Sequence, residues 1–511
     1  MSNDPHQPEA PTGADAFSEP GAEAGAVAPS DITAHEPTLA EIERSPLKEI
    51  LVIAFPTVVT MTSYTVMQFI DALMVKSIGP EPVYVAAQGN GGIVAWLLMS
   101  LFIGLNTIIN TYVSQNLGAG RPREGAAYAW NALWISIAAW ALVLLPVAAL
   151  APMLFGLAGH DETLTRLETQ YCQIMLIGGL FTVSSRSIGH YFFGIHKPQV
   201  VMVSAIVGNL VNVVANYMLI FGNWGAPALG VAGAAIGTGI GAFVECVIPL
   251  AVFLSPKYNA KYGTRAAWKF SVRHVKDIVR VGWPGAFMFF NEMMCWTYLM
   301  SVLVSKAGAA AGEDPVLHNT AGWIALRYMH LSFMPAVGVS IAATAIVGKC
   351  MGMKRPDLAA SRTWLCMRIA LIYMGVCALA FFTFREPLVR LFVDDGTPAE
   401  TVDELVRIGA IVMIAAAVFQ VFDAMAIVMS GALRGAGDTV WPGVATIVLS
   451  WGCIVGLGHL FLEVAPGMGA AGPWTGAAAF IILLGTVLTA RFLSGKWKTI
   501  KLIDDKPAAS S

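Results

Sequence analysis

Residues 78–112 of this chain hold a single charged side chain, Glu81, and comparable apolar runs recur along almost its whole length. Inside a bilayer no water can take up a free backbone N–H or C=O, so such a run must close its hydrogen bonds within itself, as a helix. A helix rises about 1.5 Å per residue and needs about 20 residues to cross the hydrocarbon core. Twelve spans meet that length: 47–76, 85–112, 128–153, 168–193, 200–222, 230–254, 278–305, 319–347, 364–385, 405–432, 440–463 and 471–493. The expected fold class is therefore an all-α integral membrane protein. Composition agrees, with 56% hydrophobic and 13% charged residues and a mean hydropathy of +0.65. Soluble domains carry about 25% charged residues.

The segments between spans set an orientation. Loops after even-numbered spans carry Arg121 and Arg123, Lys197, Lys257 through Lys276, Lys354 and Arg355, and Arg434. Loops after odd-numbered spans carry mainly acids: Glu81, Asp161, Glu162, Glu313, Asp314, Asp394, Asp395 and Asp403. The positive-inside rule then puts the even loops and both termini in the cytoplasm of a multi-pass cell-membrane protein. Residues 1–46 are rich in Pro, Ala, Gly and Glu and cannot build a core, so they read as a disordered cytoplasmic tail. They lack the basic start and apolar middle of a signal peptide. Residues 497–511 form a second tail. Seven cysteines without a CxxC pair give neither a disulfide framework nor a zinc site.

The chain repeats itself. "GLNTIINTYVSQNLGAGRP" from Gly104 parallels "GVSIAATAIVGKCMGMKRP" from Gly338, matching Gly118 with Gly352 and Trp130 with Trp364. "IAFP" ending at Pro56 parallels "VGWP" ending at Pro284, and "LGVAGAAIG" from Leu229 parallels "MGAAGPWTG" from Met468. Ordered matches mean a duplication. Six spans per copy is an even number, so the two lobes point the same way: a parallel repeat of six-helix lobes over 47–255 and 278–496, joined by a basic cytoplasmic linker over 256–277. Duplicated bundles hold their ligands between the halves near the midplane, the architecture of an alternating-access carrier. Gly233, Gly237 and Gly241 recur every four residues, a pattern that lets helices pack closely.

An ionisable side chain inside a span is costly and signals function. In "FMFFNEMMCWTY", residues 287–298, Asn291 and Glu292 stand at the centre of span seven, too far from either end to reach the interface easily. A carboxylate there can take a proton or attract Na+, or stay protonated and tie helices together. Asp423 lies in span ten and Asp71 in span one. Asn209, Asn212 and Asn216 share one face of span five, three and four residues apart. Arg327 and His330 lie in span eight, Arg186 and His190 in span four. Arg327 is expected to pair with Glu292 from the neighbouring span, and Arg186 to extend to the cytoplasmic interface.

"SQNLGAGRPREGA", "LGVAGAAIGT", "FMPAVGVSIAATAIVG" and "GALRGAGDT" resemble, in order, motifs of the multidrug and toxic compound extrusion (MATE) family, over about residues 47–493. The resemblance implies a secondary antiporter exporting amphipathic, often cationic organic compounds in exchange for H+ or Na+. It implies the fold of that family, with two six-helix lobes around a central cavity. It makes Glu292 and Asp423 the counterparts of the acids of NorM-type members, a possible Na+ site, and Asp71 the counterpart of the first-helix aspartate. Phe419 stands where the family often has a tyrosine, so one oxygen ligand is missing and proton coupling is favoured. Asn216 stands where the family pattern has an aspartate. Asn212, Asn216 and Thr238 would then support Asp71 by hydrogen bonds, without a second acid in that lobe.

No resident cofactor is expected. The expected partners are the bilayer and a small organic substrate, with a single chain as the working unit. The chain carries no basic stripe with interleaved aromatics, so nucleic acid is not an expected partner. It has no HExxH, GxSxG or P-loop, so it is not expected to be an enzyme. The other reading on a related two-lobe frame is a dedicated metabolite exporter or a flippase for a lipid-linked precursor.

Overall fold

The computed structural model describes residues 45–503 apart from 80, 82, 158 and 394–397. Residues 1–44 of the expected 1–46 tail, the last residues 504–511, and Asp394 and Asp395 lie outside the described residues. The first six long helices are α1 (Pro46–Lys76), α2 (Val83–Gly118), α3 (Pro122–Gly156), α4 (Glu162–Gly194), α5 (Pro198–Phe221) and α6 (Val231–Phe253). The second six are α7 (Val272–Ala311), α8 (Pro315–Gly352), α9 (Pro356–Thr383), α10 (Ala399–Ala436), α11 (Val440–Val464) and α12 (Ala471–Leu493). Eleven of these are long and apolar enough to cross a membrane. The twelfth, α4, has the length at 33 residues, but its second half carries Ser184, Ser185, Arg186, Ser187 and His190. These side chains are tolerated because they turn inward. Ser187 accepts a hydrogen bond from Asn106 at 2.6 Å and shares another with Ser136 at 2.9 Å.

The halves are joined by equivalent pairs, α1 with α8 and α2 with α7. At each crossing a glycine lets two backbones meet. A Cβ on Gly104 would lie 2.9 Å from the Cα of Ala286 and one on Gly338 would lie 2.7 Å from the Cα of Val58. Gly104 and Gly338 are the residues that open the internal repeat, and their partners lie two residues after Pro284 and Pro56. The duplication read in sequence is thus a two-fold arrangement of contacts. Overpacking a closed contact costs about 1–3 kcal/mol. Gly104→Ala and Gly338→Ala are each expected to lose that much stability, seen as a lower Tm in detergent. Gly375→Ala, whose Cβ would meet nothing within 4 Å, should leave Tm unchanged. Equal effects at all three positions would contradict the crossing.

The polar contacts between halves gather at the end that carries the basic even loops. Asn110 donates to the carbonyl of Ile341 at 3.2 Å, Gln115 to that of Gly435 at 3.0 Å, and Thr57 to that of Gly338 at 2.9 Å. A buried ion pair joins Glu49 of α1 to Arg362 of α9 at 2.9 Å. Tyr128 of α3 donates to Asp277 of α7 at 3.0 Å. Further along α1 and α7, toward the acidic end, side chains bond within their own half. The linker is folded: a short helix, Pro256–Tyr262, leads into a turn strapped to α3, where Trp130 and Trp134 donate to the carbonyls of Thr264 and Trp268 at 2.7 and 3.0 Å.

The acid-bearing interior as candidate functional site

In the first half, the glycine face of α6 brings α5 close. A Cβ on Gly241 would sit 2.8 Å from the Cβ of Asn212 and one on Gly237 would collide with the side chain of Asn216. This close approach sets Asn212 and Asn216 between α6 and α1. Asn216 donates to Asp71 at 2.7 Å and to Asn212 at 3.4 Å, and Asn212 donates to Thr238 at 3.3 Å. Asp71 is only 7% exposed. The four residues expected together in this half do converge. Asn209 turns instead to α1, donating to the carbonyl and the hydroxyl of Ser63, both at 3.1 Å.

A second level lies one step deeper. Tyr64 is seven residues before Asp71 on α1, and Glu245 seven after Thr238 on α6, so each shares a helix face with its upper neighbour. The Tyr64 hydroxyl donates to Glu245 in a close contact. Arg186 pairs with Glu245 at 3.4 Å, and its guanidinium stacks 3.8 Å over the Tyr64 ring. Two expectations are corrected here. Arg186 does not extend to the interface, because a carboxylate and an aromatic face inside the bundle hold it. This half also has a second acid, Glu245. Its signal was legible as a lone carboxylate within the apolar "GAFVECVIP", the same kind of signal that marks Glu292.

In the second half, Asn291 is anchored by α11, which widens into a π-helical stretch over Ser450–Leu457. Asn291 donates to Ser450 at 2.8 Å and accepts from the Trp451 indole at 2.6 Å. This fixes the face of α7 that carries Glu292. Asp423 of α10, 8% exposed, lies close enough to Glu292 for the two charges to act on each other. Phe419, one turn before Asp423, is fully buried and brings no oxygen. The neighbouring Gln420 bonds to Ser332 of α8. The expected pairing of Arg327 with Glu292 does not form. The Arg327 guanidinium lies over the Phe392 ring, 5.7 Å from its centre, because the rotation of α8 turns it to the α9–α10 connection. The cation whose charge acts on Glu292 is Arg434 of α10, a residue read from sequence only as part of a basic loop.

Among the described residues no group of three or more His, Cys, Asp or Glu side chains is arranged to hold a metal ion. All seven cysteines are free, and Cys377 is the one that is not fully buried.

Two duplicated halves of membrane-crossing helices, joined at one end and each holding buried carboxylates, define a polytopic membrane transporter. A model of the MatE family matches residues 56–218 and 284–458, one match in each half. The chain belongs to the MatE family, as a NorM-like member. It is 27% identical over 415 residues to the probable multidrug resistance protein NorM of Thermotoga maritima, covering 79% of this chain and 83% of that one. It is 28% identical over 470 residues to the multidrug resistance protein MdtK of Yersinia pestis, covering 88% and 95%. Among solved structures it matches MATE in complex with MaL6 with a TM-score of 0.80 at 20% identity, covering 89% and 98%. It also matches a MOP superfamily transporter from Pyrococcus furiosus, described as having a binding pocket of reverse polarity, with a TM-score of 0.78 at 20% identity, covering 89% and 97%. These last two likenesses bear on the fold.

Proposed function

We propose that this chain exports amphipathic, often cationic organic compounds across a bacterial inner membrane in exchange for protons, by alternating access of its two halves. The observation that carries the reading is the placement of acids. Asp71 in one half and Asp423 in the other are buried, and Glu292 beside Asp423 is half-buried, within membrane-crossing helices of halves whose polar contacts gather at one end. Two carboxylates whose charges act on each other favour uptake of one cation. A proton or a cationic substrate can satisfy that demand, but not both at full strength. Binding of one then weakens the other, the differential affinity that coupling requires. A hard cation such as Na+ collects several oxygen ligands, and Phe419 supplies none beside Asp423, so the donor set suits a proton better. With the basic loops cytoplasmic, both termini are cytoplasmic, and this arrangement of contacts fits the outward-facing state. The multidrug names of the relatives support the substrate class.

The test is ethidium efflux from proteoliposomes of the purified chain under an imposed H+ gradient and, separately, an imposed Na+ gradient. The expected result is efflux driven by H+. Efflux driven by Na+ alone would overturn proton coupling. No efflux under either gradient, beside an active control transporter, would overturn multidrug export.

A further inference from the structure

From Pro256 to Lys276, the segment that joins the halves carries six Lys or Arg side chains and no Asp or Glu. All six, Lys257, Lys261, Arg265, Lys269, Arg273 and Lys276, are exposed. The nearby acids are engaged elsewhere. Glu124 pairs with His274 at 3.2 Å, and Asp277 accepts from Tyr128 at 3.0 Å. Among the described residues no ion pair holds Lys257, Lys269 or Lys276. The same surface presents apolar side chains: Trp268, Phe270 and Val272 are 56%, 63% and 71% exposed. The backbone beneath them is fixed. Trp134 of α3 donates to the carbonyl of Trp268 at 3.0 Å, and the Ser271 amide donates to Asn131 of α3 at 2.8 Å. Thr264 donates to the carbonyl of Phe253, at the end of α6, at 2.6 Å. The bonds at 268 and 271 use backbone groups, so the rings of Trp268 and Phe270 stay free to meet a partner.

The patch adjoins surface that faces lipid. Ile137, three residues after Trp134 on α3, is exposed, and so are Val279 and Trp283 on α7. Both helices are long and apolar enough to cross a membrane. The cations and rings therefore sit where two such helices reach their basic end. A leaflet with negative headgroups attracts clustered Lys and Arg, and its interface takes up Trp. A free phosphate would meet the cations and leave the rings in water, an arrangement that large exposed apolar side chains disfavour.

We propose that this linker is a docking surface for anionic phospholipids of the leaflet that the basic loops face, with headgroup phosphates on its lysines and arginines and with Trp268 and Phe270 in the interface. The surface is bonded to α3 of the first half and runs directly into α7 of the second, so a lipid held there touches both halves. The inference goes beyond the export reading and does not rest on it. The test reads lipid enrichment around Trp268 in the full chain reconstituted into vesicles. The vesicles hold four parts phosphatidylcholine and one part phosphatidylglycerol throughout. Bromine, which quenches tryptophan, is carried either by all the phosphatidylglycerol or by an equal amount of the phosphatidylcholine. The emission lost on Trp268→Phe isolates Trp268, and this variant keeps the carbonyl that Trp134 holds. Brominated phosphatidylglycerol is expected to quench Trp268 at least threefold more than brominated phosphatidylcholine. Lys257→Gln, Lys269→Gln and Lys276→Gln together should bring the two lipids to equal quenching. Lys48→Gln, Lys496→Gln and Lys498→Gln together remove as many exposed charges elsewhere and should leave the threefold preference in place. Equal quenching by both lipids in wild type, a preference that survives the linker variant, or one lost as fully in the control variant would each overturn the proposal. Loss of the preference on adding inorganic phosphate at constant ionic strength would also overturn it, in favour of a free-anion site.

Discussion

Arg186→Met should destabilise the protein by about 3–5 kcal/mol, because it leaves Glu245 as a lone carboxylate inside the first half. Glu245 has Arg186 at 3.4 Å and the Tyr64 hydroxyl as its partners. Tyr64 also packs, with Met61 and Ala205, against Met334, Val337 and Ile341 of α8 across the seam. The network is therefore sealed by the contact between halves. Glu245→Met alone strands the arginine and should cost a comparable amount. Arg186→Met with Glu245→Met removes both charges and keeps volume, and should recover most of the loss, since an apolar replacement of a whole buried pair is close to neutral. Tyr64→Phe removes one hydrogen bond to a charged group and should cost about 1–3 kcal/mol. Thermal unfolding of the four purified variants checks the series. A double variant no more stable than the singles would show that Arg186 and Glu245 act independently.

Glu292→Gln should abolish uphill dye efflux while preserving downhill dye movement. The amide keeps the shape and much of the hydrogen bonding but cannot exchange a proton. Coupling free energies between two ligands run at about 1–3 kcal/mol, or 5–150-fold, and losing the coupling group forfeits that factor. Asp423→Asn should behave alike, since the two carboxylates act as a pair. Asn291→Ala should give a partial loss, because it frees the face of α7 from Ser450 and Trp451. Parallel assays with and without an imposed gradient separate these outcomes. A Glu292→Gln variant that still concentrates dye would remove Glu292 from the coupling site.

Sequence alone determined what the bilayer dictates locally. Runs of apolar residues near Asp71, Glu292 and Asp423 had to be helices, because backbone groups in hydrocarbon must bond within their own segment. The repeat from Gly104 and Gly338 was legible because both copies still carry the glycines their crossings need. The cluster of Asp71, Asn212, Asn216 and Thr238 was implied by the family resemblance, whereas spacing alone put Asn212 and Asn216 on one helix face together with Asn209, which turns elsewhere. The partners of the arginines could not be anticipated. Arg186 meets Glu245 across 59 positions of chain, and Arg434, not Arg327, stands near Glu292. Which face of a helix turns inward, and which distant helix it meets, depends on side-chain packing summed over the bundle. That sum exists only once all the helices are in place, so the tertiary structure alone decided which of the interior charges were paired and with what.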